Sequence, residues 1–445
     1  MSFRRYPDLP AELRSQIRQF VVDERRDHSQ DWYLGTNGKF RFRGRGLPIA
    51  LLACVNKEWQ FDVERSLFCG LELRHCPRCL PREVSDLQYF ESLVTGARRS
   101  FVRYIVLRVE SHANCTSPME SISDHQGAAV HYAIDWLFRI LKQWEMPEDR
   151  QAVLKINLMF EHPLRDVARA PFEYTDLSVV PLVGWLRVES HDFSIPLLLS
   201  SLIGIGNKLP NLTGLMIYVN TRLYHANECL ELVENMSQII PKLRQVDIQT
   251  GALDITEEIA GIQENLHGWN PENLGESLSR TLREISYGLQ NITFINIVDA
   301  ASFLAPFSSE NYRPASFTGP TWPRLRTFCL NGTDTFERTS HVKKMEVGDR
   351  LGASAGRAIE FMPELERMEI TTRVDPHVTE HDQITNHIVF TMERTSHKDN
   401  TGARSNHLVF EVYNYRPSSN VLKIWTDWLG RIQGRHLQVE YVRFD

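Results

Sequence analysis

The chain has no long hydrophobic run and no excess of positive charge. Its longest apolar stretch, residues 195–206, is too short and too broken to span a bilayer and is predicted to form a buried helix. The N-terminus lacks the apolar stretch of a secretory signal. The formal net charge of -6 disfavours nucleic-acid binding, which usually needs a basic face. These absences predict a cytoplasmic or nuclear protein that binds neither membrane nor nucleic acid.

Cysteine is scarce, and the common motifs of enzymes are missing. Seven cysteines, an odd number spread thinly, fit a reducing compartment. The sequence has no nucleophile elbow, no P-loop, no dinucleotide-binding glycine motif and no HExxH zinc motif. Gly204-Ile-Gly206 lacks the further glycine of a phosphate loop and follows a predicted helix. We therefore expect no catalytic residues, no cofactor and no enzymatic activity.

One cysteine pair has the spacing of half a zinc site. Cys76-Pro-Arg-Cys79 is a C-x2-C motif, and His112 with Cys115 could supply the other two ligands. All four side chains would have to converge within roughly 4 Å of one another. A single C-x2-C motif with an unpatterned partner is a weak signal, and the competing interpretation is a turn with buried thiols.

Histidines gather in and beside the polar stretch 371–406, at His377, His381, His387, His397 and His407. His377 and His381 are four residues apart and would share one face of a helix, with Glu380 and Asp382 beside them. Pro376 and the polar context favour a solvated loop instead. No metal site is predicted in either place.

A short motif recurs along the chain. Leu209 to Ile217 reads L-P-x-L-x-x-L-x-I, a turn signal followed by alternating apolar residues. Alternate residues of a strand lie on one face, and stacked copies can bury that face against one another. The inward positions predicted from this motif are Leu212, Leu215, Ile217; Leu243, Val246, Ile248; Ile292, Ile295, Ile297; Leu325, Phe328, Leu330; Leu365, Met368, Ile370; and, without the proline, Val102, Ile105, Leu107; Val153, Ile156, Leu158.

Helical patterns separate these strands, so the predicted fold class is α/β. We interpret the strand–helix units as an irregular leucine-rich-repeat-like solenoid. Successive motifs are 31 to 59 residues apart, more than the 20–29 of regular repeats. The extra length is predicted to form loops at 300–322, 331–349 and 371–406, where specificity would lie. A doubly wound α/β sheet is the rival architecture, but no glycine-rich phosphate loop follows any strand.

The first 70 residues have a different pattern. Pro10 suits the first turn of a helix, and Glu12 complements the helix dipole there. Leu13, Ile17, Phe20 and Val21 then form one apolar stripe. Residues 23–46 break the periodicity, 51–55 form an apolar run, and 57–68 are predicted as a helix with Trp59, Val63 and Leu67 inward.

Leu9-Pro10-x-Glu12-Leu13-x3-Ile17, followed by Leu51-Leu52-Ala-Cys-Val55-Asn-Lys-Glu-Trp59, resembles an F-box. This resemblance implies a small helical unit that docks on a Skp-type adaptor protein and so joins a cullin ubiquitin ligase. The inserted segment 23–46 makes the unit longer than a usual F-box. The adaptor-binding residues that the resemblance implies are Leu9, Pro10, Glu12, Leu13, Ile17, Leu51, Leu52, Val55 and Trp59.

Most of the chain also resembles a group of uncharacterised filamentous-fungal F-box-like proteins. The likeness is carried by Glu58-Trp59-Gln60, by Trp136 to Trp144, by Leu289 to Ala300 and by the closing Val421-x3-Trp425. These are packing motifs, and that family has no assigned catalytic chemistry.

The predicted organisation is an F-box-like helical unit at 1–75, with its inserted loop at 23–46, and a degenerate leucine-rich-repeat-like domain at 84–445. Three functions stay open. The first is a substrate receptor of a Skp-cullin-F-box type ubiquitin ligase that holds an unknown protein substrate. The second is a repeat scaffold without a ligase link, and the third is an α/β enzyme with an unfamiliar site.

Overall fold

The computed structural model describes most of the chain in separate stretches, and the statements below concern these stretches alone. They are residues 6, 9–27, 32–34, 40–42, 56–75, 86–110, 122–144, 154–161, 176–190, 202–219, 236–250, 271–308, 321–333, 341–373, 387–398, 404–413, 416–431 and 437–442.

The chain divides into two compact units, residues 1–194 with 204–212, and residues 195–203 with 213–445. Both contain parallel strands and helices, as the predicted α/β class requires. The predicted domain boundary between residues 75 and 84 falls inside the first unit and stays a prediction. No helix in the described stretches is long and apolar enough to cross a bilayer.

The first unit is built on four parallel strands that neighbour one another in chain order. Its elements are α1 (Ala11–Asp27), the antiparallel pair β1 (Trp32–Leu34) and β2 (Phe40–Phe42), α2 (Lys57–Cys69), β3 (Gly70–His75), α3 (Asp86–Leu93), a 3₁₀ helix (Gly96–Phe101), β4 (Tyr104–Glu110), α4 (Ile122–Lys142), β5 (Leu154–Glu161) and β6 (Val183–Ser190).

The second unit has a sheet that begins with five parallel strands in chain order. Two antiparallel strands follow them. The last strand runs parallel to its neighbour. The elements are β7 (Gly214–Val219), β8 (Gln245–Thr250), α5 (Pro271–Ile285), β9 (Asn291–Ile295), α6 (Ala300–Phe303), β10 (Thr327–Thr333), α7 (His341–Ala358), β11 (Arg367–Arg373), β12 (His387–Lys398), β13 (Arg404–Tyr413), α8 (Ser419–Arg431) and β14 (Leu437–Val442).

The alternating motif residues form continuous buried rows in the second unit. One row in register is Leu215, Val246, Ile292, Phe328 and Met368, and each of these side chains is at most 1% exposed. The next row is Ile217, Ile248, Phe294, Leu330 and Ile370. Stacked strands therefore bury one face of the sheet jointly, as the recurring motif predicts.

The motif is out of phase at one strand. Ile295 was predicted inward, but β9 buries Ile292 and Phe294 and leaves Ile295 partly exposed. Ile297 is buried, although it lies beyond the strand. Asn296 between them has a left-handed backbone (φ 59°), which ends the strand alternation.

Each proline-containing motif begins with the same β-turn. The leucine N–H donates to the carbonyl three residues earlier, across Leu209–Leu212 (3.1 Å), Ile240–Leu243 (2.8 Å), Trp322–Leu325 (3.3 Å) and Met362–Leu365 (3.1 Å). Proline occupies the second turn position each time, where its fixed φ suits the turn. The local sequence thus sets the direction in which the chain enters each strand.

A ladder of backbone carbonyls connects these turns to the next strand. The carbonyl of Thr213 accepts hydrogen bonds from the N–H groups of Arg244 (2.7 Å) and Gln245 (3.1 Å). The carbonyls of Arg244, Gln290 and Arg326 repeat this double acceptance one strand further each time. A carbonyl has two lone pairs, so one group satisfies two donors and sets the register of the next strand.

All three predicted loops contain regular structure. The range 300–322 includes α6 and a 3₁₀ turn at Ala305–Phe307, 331–349 includes the start of α7, and 371–406 includes all of β12 and the start of β13. The prediction failed at 300–307 although Ala300, Phe303, Leu304 and Phe307 are buried, because four apolar residues are too few to show a helical period. In β12 and β13, backbone pairing with neighbouring strands supplies order that the mostly polar stretch 371–406 does not signal.

We expect Gly332→Ala to destabilise the second unit by about 1–3 kcal/mol. A Cβ at Gly332 would lie 2.7 Å from the carbonyl oxygen of Val298 and 3.1 Å from the amide nitrogen of Ala300. Both are backbone atoms that cannot rotate away. Gly288→Ala is the matched control, because a Cβ there would meet nothing within 4 Å. Urea unfolding should separate the two variants, and equal midpoints would contradict the steric explanation.

His75 at the end of β3 is buried on the core face of the first unit. It is 1% exposed, its Nε2 has no hydrogen-bond partner among the described residues, and its ring lies 6.2 Å from that of Tyr132. Burial lowers the pKa of His75 to about 4. The folded chain therefore keeps this imidazole neutral.

Acidification should destabilise the protein in a way that depends on His75. The unfolded imidazole gains its proton near pH 6.5 and the folded one near pH 4, so stability falls as the pH drops through this window. The full contribution is at most about 3 kcal/mol. Urea unfolding at pH 7 and pH 4.5 should show a smaller loss for His75→Leu than for the unmodified protein, and an equal loss would contradict the assignment.

Candidate interaction surface

Helices α1 and α2 form the predicted docking unit, and each has a clear start signal. The carbonyl of Pro10 accepts the N–H of Arg14 at 3.0 Å, which opens the hydrogen-bond pattern of α1. Asn56 precedes α2, and its side-chain oxygen accepts the N–H of Trp59 at 3.0 Å. This is a helix N-cap, which satisfies a donor that has no partner within the helix.

A small apolar core joins the two helices. Trp59 and Val63 of α2 are buried, and Tyr6, Val21 and Leu67 pack against them. The rings of Tyr6 and Trp59 lie 6.0 Å apart. Val21 is the residue of the predicted α1 stripe that belongs to this core.

Arginine side chains hold the rest of α1 to α2. Arg18 donates to Glu58 at 2.7 Å and also pairs with Asp62, while Arg14 donates to Glu58 at 3.2 Å. Arg18 further donates to the hydroxyl of Tyr6 at 3.0 Å, and that hydroxyl donates to the backbone carbonyl of Arg14. The contact between the helices is thus largely an ion-pair cluster, formed by Arg14, Arg18, Glu58 and Asp62.

Arg18 is the central residue of this ion-pair cluster, with only 10% of its side chain exposed. Burial acts against its charge, but hydrogen bonds to Asp62 and Tyr6 outweigh that effect and raise the pKa of the guanidinium. Arg18 therefore stays charged, and Glu58, Asp62 and the hydroxyl of Tyr6 each accept a hydrogen bond from it.

The apolar stripe of α1 lies next to the ion-pair face and is turned toward solvent. Leu13 is 46% exposed and Phe20 is 67% exposed, with Ile17 partly buried between them. These residues recur at intervals of four and three, so they share one helix face. Arg14 and Arg18 each follow a stripe residue directly, which rotates their face by roughly 100°. From here on, the term apolar stripe means Leu13, Ile17 and Phe20, without Val21, which packs in the core between the helices.

The other predicted docking residues have differing surroundings. Pro10 and Glu12 are exposed beside the start of the apolar stripe, and Leu9 is partly buried. Trp59 is buried in the core between the helices, so its place in adaptor docking stays a prediction. Leu51, Leu52 and Val55 lie outside the described residues.

The candidate metal ligands Cys76, Cys79, His112 and Cys115 lie outside the described residues, as do His377 and His381. Among the residues that the structure describes, no group of three or more His, Cys, Asp or Glu side chains could hold a metal ion.

Helix α2 is also attached to the sheet of the first unit. Its last residue, Cys69, is followed at once by β3. Glu64 pairs with Arg98 of the 3₁₀ helix at 2.8 Å, and this hydrogen-bonded cation lowers the pKa of Glu64. Arg98 also lies over the ring of Phe68, 5.2 Å from its centroid. Helix α2 is thus joined directly to β3, and the Glu64–Arg98 ion pair holds it to the 3₁₀ helix.

Sequence reasoning missed the ion-pair cluster, although a signal was present. Arg14 and Arg18 are four residues apart on α1, and Glu58 and Asp62 are four apart on α2. Such spacing puts each pair on one helix face. Opposite charges at matching spacing could have indicated the contact between the two helices.

A second candidate surface is the polar face of strands β8 to β11 in the second unit. Asp247, Thr293, Cys329 and Glu369 form one row in register, and each is partly exposed. Burial raises the pKa of the Cys329 thiol to about 12, helped by the carboxylates of Glu369 and Asp247. This cysteine is therefore a neutral, unreactive group at neutral pH.

Comparison with known proteins gives one family. Residues 239–444 match the family described as "Family of unknown function (DUF6546)". This range is less than half of the chain, and it spans β8 to β14 without the α1–α2 pair. A search of curated proteins finds no match.

Arg18→Met should loosen α1 from α2 by about 1–3 kcal/mol. Methionine retains the apolar stem of the side chain but leaves the largely buried Asp62 carboxylate without its cation. The matched control is Arg139→Met, whose ion pair with Asp135 on α4 involves a 53% exposed arginine and should matter by less than about 0.5 kcal/mol. Amide hydrogen exchange in α1 should accelerate only in the first variant, and unchanged exchange would contradict a clamping role.

Proposed function

We propose that the chain is a protein-interaction module whose apolar stripe docks on a Skp-type adaptor, and that it serves as a substrate receptor of a Skp-cullin-F-box type ubiquitin ligase. The observation that carries this proposal is the exposure of Leu13 and Phe20 on α1. The link to the ligase rests on the F-box resemblance of residues 9–59.

The apolar stripe has an unusual placement for a helix that only caps a domain. An amphipathic helix normally buries its apolar stripe against the core. Here α1 turns Arg14 and Arg18 toward α2 and leaves Leu13 and Phe20 exposed. Burying each of these two side chains in a partner would contribute about 1.5–3 kcal/mol. Positions i, i+4 and i+7 are those by which a helix enters an apolar groove.

The remainder of the chain would present the substrate. We infer an irregular leucine-rich-repeat-like solenoid, because the described strands neighbour one another in chain order within each unit, without the reversal of order that marks a doubly wound sheet. The repeated turn and carbonyl ladder of the second unit support this reading. Its polar strand face offers a broad surface to a protein substrate.

The alternative is a scaffold in which the helix pair has no ligase link. Two observations favour it: Trp59 is buried between the helices, and α2 continues directly into β3. The receptor and the scaffold differ in one respect, which is whether the apolar stripe has an adaptor as its partner.

We expect the double variant Leu13→Asp, Phe20→Asp to bind a purified fungal Skp-type adaptor at least about tenfold more weakly than the unmodified chain. Two carboxylates would then have to be desolvated in the adaptor groove. Both residues are exposed, so the fold should not change. Isothermal titration calorimetry measures the affinity, and circular dichroism checks the helix content.

The matched control is the double variant Ser15→Asp, Val179→Asp. Ser15 is exposed on another side of α1, and Val179 is an exposed apolar residue (49%) outside the helix pair. The control adds the same charge and should bind like the unmodified chain. If the folded unmodified chain does not bind the adaptor at micromolar concentration, the receptor function is wrong and the scaffold alternative stands.

A further inference from the structure

The turns that open strands β8, β9 and β10 bring two sets of residues together at one end of the second unit. Each turn is closed by a leucine N–H, and the residues directly before these leucines are Lys242, Gly288 and Arg324. The residues directly after the leucines have the ladder carbonyls, and they are Arg244, Gln290 and Arg326. Equivalent positions of neighbouring parallel strands face the same way. We call these six residues the turn surface.

The fold does not require the side chains of the turn surface. The turn uses the N–H of its leucine, and the ladder uses only the backbone carbonyl of the residue after it. The equivalent positions at β7 are Asn211 and Thr213, and those at β11 are Glu364 and Glu366. Positions that accept neutral, cationic and anionic residues alike are free to serve binding.

Positive charge on the turn surface is exposed to solvent. Lys242, Arg244, Arg324 and Arg326 are all exposed. Among the residues that the structure describes, the first three of these form no ion pair. The three turns themselves, residues 240–245, 286–291 and 322–327, contain no Asp or Glu. The turn surface therefore has four cations that are available to an anionic partner.

The neighbouring carboxylates lie beside the turn surface. Arg326 approaches Glu364 and Glu366 at 3.8 and 3.9 Å, but all three side chains are more than half exposed, so these contacts are weak. Glu284, at the end of α5, forms no ion pair with any of the four cations. Asp247 is three positions beyond Arg244, which places it on the opposite face of β8. The positive region thus reaches from the β8 turn to the β10 turn and ends at β11.

Gly288 leaves a gap in the middle of this positive region. It is exposed, and a Cβ there would meet nothing within 4 Å. Adjacent strands are 4.7–4.9 Å apart, so the backbones of Arg244 and Arg326 are about 9–10 Å apart, with Gln290 between them. The two guanidinium groups can reach one anionic group from both sides, and the amide of Gln290 can donate to it as well.

The number of charges favours a peptide over a nucleic acid. Salt-dependent binding to a nucleic acid typically rests on about six to ten phosphate contacts, and the turn surface has four cations. A chain with a net charge of -6 would also repel a long polyanion. Four cations around a gap suit a short segment that has a few carboxylates.

We propose that the turn surface binds an acidic segment of a partner protein, with one anionic side chain over Gln290 between Arg244 and Arg326. This inference deepens the proposed function, on which it rests, by naming the class of segment that a substrate would present. The turn surface shares no residue with α1. Its binding can be measured on the full chain without an adaptor, so failure here and failure of adaptor docking are separate results.

The first test places a competing carboxylate in the gap. Fluorescence anisotropy with a labelled hexa-aspartate peptide, at low salt and neutral pH, measures the affinity of the full chain. Gly288→Asp should weaken binding about tenfold or more, because its carboxylate would occupy the site of the peptide's own. Gly288→Asn has nearly the same shape without the charge and should stay within about twofold. Circular dichroism checks that both variants fold.

The second test removes the cations. The double variant Arg244→Gln, Arg326→Gln should weaken binding of the same probe about tenfold or more. The control is Arg416→Gln, Lys423→Gln, which removes two exposed cations elsewhere in the second unit and should stay within about twofold.

Equal weakening in the double variant and its control would overturn the proposal, because the effect would then come from net charge alone. Equal weakening by Gly288→Asp and Gly288→Asn would overturn the assignment of the gap. Absence of binding by the folded, unmodified chain at millimolar peptide would also overturn the proposal. So would tighter binding of a short single-stranded DNA than of the peptide, which would assign the turn surface to nucleic acid.

Discussion

The second unit depends on the ladder of carbonyls that accept two hydrogen bonds each. A strand whose alternate residues are buried must be held in register, because a shift by one residue would turn its apolar side chains to solvent. The carbonyls of Thr213, Arg244, Gln290 and Arg326 provide that register at the start of each following strand. The buried rows then follow from the alternation of the sequence. The insertions between strands can vary in length because the ladder depends only on backbone atoms at strand starts.

The N-terminal helix pair is held together mainly by ion pairs. Its contact depends on a permanent cation, Arg18, placed between two carboxylates, with a small apolar core beside it. Ion pairs need partners at defined positions, so they orient α1 on α2 more strictly than apolar contact would. That orientation leaves the apolar stripe of Leu13, Ile17 and Phe20 toward solvent. A helix attached mainly by its polar side has an apolar side left for a partner, and the proposed docking function follows from this arrangement.

Local patterns predicted the parallel strands β4, β5 and β7 to β11 but missed β3 and β6, and four of the predicted strands follow a proline turn that marks their start. Proline in the second turn position and leucine three residues after the turn begins place the following apolar residues correctly at four motifs. The sequence pattern failed at β9, at the start of α7 and at β12. At β9 the inward residues are Ile292 and Phe294 rather than Ile295, because the motif begins at the buried Leu289, whose N–H donates to the carbonyl of Ser286 as in the other turns. The start of α7 and all of β12 fell within predicted loops, because the stretches 331–349 and 371–406 as a whole are rich in polar residues. The docking residues on α1 were predicted from resemblance, but Phe20, which is 67% exposed, was not among them.

The sequence by itself determined the turns, the alternation and the α/β class, since these depend on the φ angle of proline and on the burial of alternate apolar residues within a few positions. Only the tertiary structure decided which face of α1 meets α2, because the carboxylates that pair with Arg14 and Arg18 lie 40 or 44 residues further along the chain. It also decided that residues 387–398 form a strand, since the hydrogen bonds of that strand come from β11 and β13. No single segment specifies such long-range partners, and the exposure of the apolar stripe on α1 depends on them.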